Sequence, residues 1–215
     1  MKRVYVWEFP VRLAHWLLVA CIVTLSVTGF YIGAPFLHAV DNSELIMAYM
    51  RAVHFGAAYV FIAAFLLRVY WLFAGNQYAR YDQMIPTTRR RVGDLFRTAL
   101  FYAFCSKTLP PATGHTALAG LSYAGLFGLY VAEIVTGGAM LYVAHGGGAA
   151  LWLLGGWSLA VMDVAWLRLI HHCVMWLIAA FVIVHVYIGW HNDILERNGL
   201  ISSMFSGYKH EEEGR

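Results

Sequence analysis

Charge is what this sequence has least of. Asp, Glu, Lys and Arg make up 13% of its 215 residues, against 60% hydrophobic, whereas a soluble domain carries about 25% charged residues. The chain therefore reads as an integral membrane protein. Cysteine is also sparse: Cys21, Cys105 and Cys173 are the three present, and none belongs to a C-x-x-C-H motif, which excludes a covalently attached c-type haem. Two lie in apolar runs and one in a basic loop, so no disulfide is expected. There is no Walker A motif and no G-x-G-x-x-G, and no soluble catalytic domain. No nucleic-acid partner is expected. The first apolar run follows Arg12 without a small-residue cleavage site, so it is expected to stay in the membrane as an anchor.

What is present in quantity is apolar length. Four segments, about 13–33, 52–74, 118–143 and 166–191, reach the roughly twenty residues a span needs. The stretch 149–166 is apolar too but holds Gly155, Gly156 and Asp163. It reads as interfacial or re-entrant. Four spans place both termini and the 75–117 loop on one side, leaving segment 144–165 on the other. Of the fifteen Lys and Arg, only Arg51 and Arg168 fall on that second side. The positive-inside rule then puts both termini in the cytoplasm, and the expected location is a bacterial cytoplasmic (inner) membrane, crossed several times. Trp7, Trp16, Tyr70, Trp71, Tyr142 and Trp190 lie near span ends and suit an interfacial aromatic belt.

His171 and His185 stand fourteen residues apart in one run, L-I-H-H-C-V-M-W-L-I-A-A-F-V-I-V-H-V-Y. On an α-helix they lie ~40° apart around the axis and roughly 21 Å apart along it. Two nearly aligned histidines at opposite depths are what two stacked haems require, each iron taking one neutral imidazole from each of two helices. Depth supplies the partners. His15 begins the first span near the cytoplasmic face, and His54 begins the second near the periplasmic face. The pairs are therefore His54 with His171 and His15 with His185. His172 is thirteen residues from His185, ~140° around the helix, and so is not preferred.

Arg12, Arg51 and Arg168 each precede one of these histidines by three residues, in R-L-A-H, R-A-V-H and R-L-I-H. Positions i and i+3 share a helix face, and a guanidinium at the membrane surface can bind a haem propionate bidentately. For a single intramembrane histidine the competing explanation is a hydrogen bond to a backbone carbonyl, or a place on a proton path. His191 and His115, both toward the cytoplasmic side, are candidates for a quinone-side proton exchanger or, more simply, interfacial residues. His38 and His145 read as loop residues and His210 as tail. Glu133, deep in the third span, is costly there unless paired or protonated. A buried arginine is one possible partner. Gly29, Gly33, Gly56, Gly137 and Gly138 permit close helix contact or leave room for a flat macrocycle.

These residues resemble the b-type cytochrome subunit of membrane-bound nickel–iron (uptake) hydrogenases. R-L-A-H-W-L-L-V-A-C-I-V-T-L-S-V-T-G at 12–29 and H-H-C-V-M-W-L-I-A-A-F-V-I-V-H-V-Y at 171–187 carry the likeness, with Y-M-R-A-V-H-F, R-V-Y-W-L-F-A-G-N, and a tail of D-I then S-S-M-F-S-G-Y. The resemblance implies a four-helix all-α bundle holding two b haems at His15, His54, His171 and His185. It implies electrons passing from a periplasmic hydrogenase to quinone. The implied partners are the hydrogenase large subunit and the iron–sulfur small subunit with its C-terminal membrane helix, within the lipid bilayer. Hydrogen itself is activated outside this chain. Segment 145–166 is Gly-rich where the family differs, and T-A-L-A follows His115 where the family more often has N-P-L-A. The cytochrome b subunit of a formate dehydrogenase or similar oxidoreductase shares the four-histidine logic. A haem or proton transporter is the alternative from another class.

Overall fold

The computed structural model describes residues 2–36, 43–110 and 112–211. Its elements in order are β1 (Lys2–Tyr5), α1 (Phe9–Gly33), α2 (Ser43–Ala74), α3 (Arg89–Tyr102), α4 (Ala117–Ala144), α5 (Ala149–Leu154), α6 (Val164–Glu196), α7 (Leu200–Ser206) and β2 (Tyr208–Glu211). Single 3₁₀ turns sit at Tyr81–Gln83 and Gly156–Ala160. Helices α1, α2, α4 and α6 are long and apolar enough to cross a membrane, and no more than 22% of each apolar window is buried within the protein. Large apolar side chains such as Val23, Leu66, Trp176 and Ile183 point outward. In water such a surface would be unstable; in lipid it is the solvated face.

Helix α2 starts at Ser43, well ahead of the expected 52. Residues 44–51 include Glu44 and Arg51, too polar for the hydrocarbon core but unhindered helix formers, so the helix outruns the apolar segment. Segment 149–166 forms the short α5 and a 3₁₀ turn folded back along α4. Gly155 lies against the Val135 carbonyl and Gly138 against Leu154, in both cases with backbone approaching where a Cβ would collide. Val135 is nine residues before the end of α4, or roughly 13 Å along it, so the segment is re-entrant in form.

Close backbone approach is strong between α1 and α2 and between α4 and α6, while few such approaches join the two hairpins. Side chains fill the seam instead. Leu18 and Cys21 of α1, Phe61, Ala64 and Phe65 of α2, Leu126 and Tyr130 of α4, and Val174 and Ile178 of α6 form one buried layer. Phe61 and Phe65 meet Tyr130 edge-on, with ring centroids 4.9 and 5.7 Å away.

The chain ends are tied together. β1 and β2 pair antiparallel, Lys2 opposite Glu211 and Tyr5 opposite Tyr208, a small ribbon added to the expected all-α architecture. Trp7, expected in an interfacial belt, is buried instead, because its indole N–H donates to Ser203 Oγ at 3.0 Å. Trp16 donates to the Met204 carbonyl at 3.0 Å. The Glu8 carboxylate accepts from Asn76 N–H at 2.7 Å and Trp71 Nε1 at 3.2 Å, and Asn76 Nδ2 donates to the Val6 carbonyl. The start of α1 is thereby fastened to the end of α2, and Pro10 in the first turn suits a position without an N–H partner. Gly207, at φ +88°, offers its carbonyl to the N–H groups of Val6 and Trp7. A Cβ there would press on the Tyr5 ring. His38 and Arg215 lie outside the described residues. All three cysteines are free.

Candidate functional site

The four candidate histidines occupy two layers, with the buried apolar layer between them. At the end shared by the chain termini, His15 of α1 and His185 of α6 face each other across the seam with ring centroids 6.4 Å apart. At the far end, His54 of α2 and His171 of α6 lie within electrostatic reach of one another. Each pair takes one histidine from each hairpin.

The far layer is built from a repeated device. Val27-Thr28-Gly29 of α1 recurs as Val135-Thr136-Gly137 of α4, and each stands beside the R-x-x-H of its hairpin's second helix. Thr28 Oγ1 donates to the Thr24 carbonyl at 2.7 Å and Thr136 Oγ1 to the Ala132 carbonyl at 2.7 Å. With its one proton so committed, each hydroxyl can only accept from a histidine. Thr28 Oγ1 lies 2.8 Å from His54 Nδ1, and Thr136 Oγ1 lies 2.8 Å from His171 Nδ1. Both imidazoles therefore carry the proton on Nδ1 and keep the Nε2 lone pair for a metal. The two glycines serve as floors for the rings: a Cβ on Gly29 would sit 3.4 Å from His54 Cε1, and one on Gly137 would sit 3.2 Å from His171 Cε1. Glu133 has a partner, though not an arginine. Its Oε2 lies 2.6 Å from His171 Nδ1. His172 turns away from its neighbour and rests on Gly33 of α1.

In the terminal layer His185 Nδ1 meets the Tyr123 hydroxyl at 3.1 Å, while His15 Nδ1 is enclosed without a hydrogen-bond partner. His115 joins this cluster. Its ring lies 4.9 Å from that of Tyr123 and 4.7 Å from that of Trp7, and its Nδ1 is shut away from solvent. Burial, then the charges of Arg68, Lys209 and Arg91, push the His115 imidazole down to about 3. His191 does not join it, and contacts Tyr187 and Asn192 of its own helix. Asn192 in turn donates to the Tyr102 hydroxyl at 2.8 Å, and burial raises the phenol of Tyr102. Arg12 donates to the Phe205 carbonyl. Arg51 and Arg168 are exposed.

Sequence reasoning passed over Thr28, Thr136, Tyr123 and Arg68. The threonines had a signal, V-T-G written twice, each time ahead of an R-x-x-H. Arg68 had none: it is buried at 7% exposure with Nη1 unpartnered, although the sequence presents it as one more basic residue at a span end.

A bundle of four spans whose histidines pair across its seam has the architecture of a membrane-embedded b-type cytochrome. The chain belongs to the family described as prokaryotic cytochrome b561, whose model matches residues 6–207. It is 38% identical over 218 residues to a probable Ni/Fe-hydrogenase B-type cytochrome subunit of Azotobacter vinelandii, covering 96% of this chain and 88% of the relative. The probable Ni/Fe-hydrogenase 1 B-type cytochrome subunit of Escherichia coli K12 is 36% identical over 225 residues, covering 98% and 92%. A probable Ni/Fe-hydrogenase B-type cytochrome subunit of Rhodobacter capsulatus is 34% identical, covering 96% and 81%.

The haem b that such a family implies fits the residues present. Two imidazoles on opposite sides of one metal, at bonds of about 2 Å, hold their centroids roughly 6 Å apart, close to the spacing of His15 and His185. The enclosed, unpaired Nη1 of Arg68 supplies a cation for a carboxylate.

Proposed function

We propose that this chain is the membrane anchor and electron-transfer subunit of a periplasm-facing nickel–iron hydrogenase. In this role it passes electrons from H₂ oxidation, received through the iron–sulfur small subunit, across the membrane to quinone. The observation that carries the proposal is the pair of histidine layers, each spanning the seam between hairpins. The hydrogenase assignment rests on the names of the relatives.

Bound haem b supplies reversible one-electron transfer; everything else is the work of this chain. His54 and His171 would bind one group on the periplasmic side, and His15 and His185 a second on the cytoplasmic side. These four imidazoles would hold the irons from the protein side, and with two imidazoles committed to each iron the chemistry supplied would be electron transfer and not oxygen binding. Arg51 and Arg168 stand at the membrane surface for the propionates of the outer group, and Arg12 with Arg68 for those of the inner one. The aromatic layer of Phe61, Phe65 and Tyr130 excludes water between the two. Both termini lie in the cytoplasm in this topology, and the membrane is the bacterial inner membrane. His115 and His191 are assigned to the quinone side. With its affinity for a proton lowered, His115 acts there as a neutral hydrogen-bonding partner and not as a proton store.

Haem quantification on the purified complex, with identification of co-purifying subunits, tests the proposal. The expected result is two low-spin b haems per chain and a nickel-containing partner, with one haem lost in His171→Ala. A formate dehydrogenase would bring a partner without nickel. Substoichiometric, exchangeable haem would indicate a transporter instead.

A further inference from the structure

The two hairpins repeat one device with a single difference. Three residues before the threonine that accepts from the ligand stands Leu25 in the first hairpin and Glu133 in the second. His54 accordingly has neutral partners only, the Thr28 hydroxyl at 2.8 Å from Nδ1 and the Leu25 backbone, while His171 Nδ1 meets a hydroxyl at 2.8 Å and a carboxylate oxygen at 2.6 Å. The contact is largely shielded, with side-chain exposures of 19% for His171 and 15% for Glu133. At the other layer, His185 Nδ1 has the neutral Tyr123 hydroxyl and His15 Nδ1 has no partner. Of the four candidate ligands, one alone carries a carboxylate on its outer nitrogen.

Resting on the two-haem reading above, we propose that Glu133, with Thr136, is a positioning residue that orients His171 and makes the haem of the His54–His171 layer the harder of the two to reduce. A carboxylate bonded to the outer N–H makes an imidazole a stronger donor through its other nitrogen, and a stronger axial donor favours the ferric state. Low dielectric around the contact strengthens the effect. The His15–His185 layer has only neutral or absent outer partners and is the easier to reduce. An electron arriving at the His54–His171 layer therefore moves downhill toward the other side, and the repeat is broken at the one position that gives the bundle a direction.

Three forms of the full complex test this: unaltered, Glu133→Gln, and Glu133→Leu, which copies the residue of the other hairpin. Haem content is measured first, then the midpoint of each haem by potentiometric titration, with the low-spin electron paramagnetic resonance signals as a second readout. Expected in both variants are two haems, one of them easier to reduce. Its reduced-to-oxidised ratio at fixed potential rises on the order of tenfold, about 59 mV for one electron. Its resonance signal shifts while that of the other haem stays in place. Unchanged midpoints and signals with two haems bound would overturn the proposal. So would loss of one haem from both variants, which makes Glu133 a structural residue only. Fewer than two haems in the unaltered complex sinks the two-haem reading itself, and that is known before any variant is compared.

Discussion

A histidine that holds a metal through one nitrogen has to occupy the other, or the ring turns and the site loosens. Thr28 does this for His54, and its hydroxyl is available only because its own proton is spent on the Thr24 carbonyl. Thr28→Val keeps the shape and removes the acceptor. The Leu25 backbone remains a partner of the ring, and one lost hydrogen bond costs about 0.5–1.5 kcal/mol, so haem loss from the proposed His54 site to a scavenging apoprotein should quicken several-fold, while the His15–His185 layer is unaffected. Time-resolved haem transfer monitors both. The pairing of His15 with His185 and of His54 with His171 is legible in the sequence, since fourteen-residue spacing and depth are properties of single helices. What surrounds them is less so. Glu133 is separated from His171 by thirty-eight residues, and nothing local specifies the register in which α4 packs on α6. An arginine was an equally natural partner until packing brought a histidine to it.

At the scale of elements, hydropathy marks where helices are apolar and not where they stop. The first, third and fourth apolar segments fall inside α1, α4 and α6, while the second starts nine residues after α2 does because the first turns of that helix carry charge. The β1–β2 ribbon left no trace in the pattern, its two four-residue strands lying at opposite ends of the chain. Gly207 is what lets the tail close against α1. Gly207→Ala places a side chain at φ +88° and against Tyr5, a conformation costing of order 1–3 kcal/mol. The tail should open, and trypsin should cut at Arg197 and Lys209 several-fold faster, with haem content unchanged. Unchanged cleavage would mean that the ribbon and the Trp7–Ser203 bond hold the tail without help from the turn.

For the molecule as a whole, stability should depend on pH through His115. Its folded-state affinity for protons is lowered from 6.5 to about 3, so between those values the unfolded chain binds a proton that the folded one does not. Stability therefore falls as pH drops below about 6.5, by at most about 1.4 kcal/mol per unit for this one group, and levels off near 3. Thermal unfolding of the detergent-solubilised complex at pH 7.5 and pH 5 measures it. The loss on acidification should be smaller in His115→Gln, and an equal loss in both forms would assign the effect to other groups.

Both candidate sites draw one ligand from the first hairpin and the other from α6, the last spanning helix in the chain. Neither α1 with α2 nor α4 with its re-entrant segment holds a complete pair. A ribosome must therefore have delivered nearly the whole protein to the membrane before any iron could be gripped from both sides. A chain halted before Val164 would make a well-packed hairpin and hold no redox centre. On the proposed two-haem reading, synthesis order would act as a safeguard, since half-made copies could not carry electrons to a wrong acceptor.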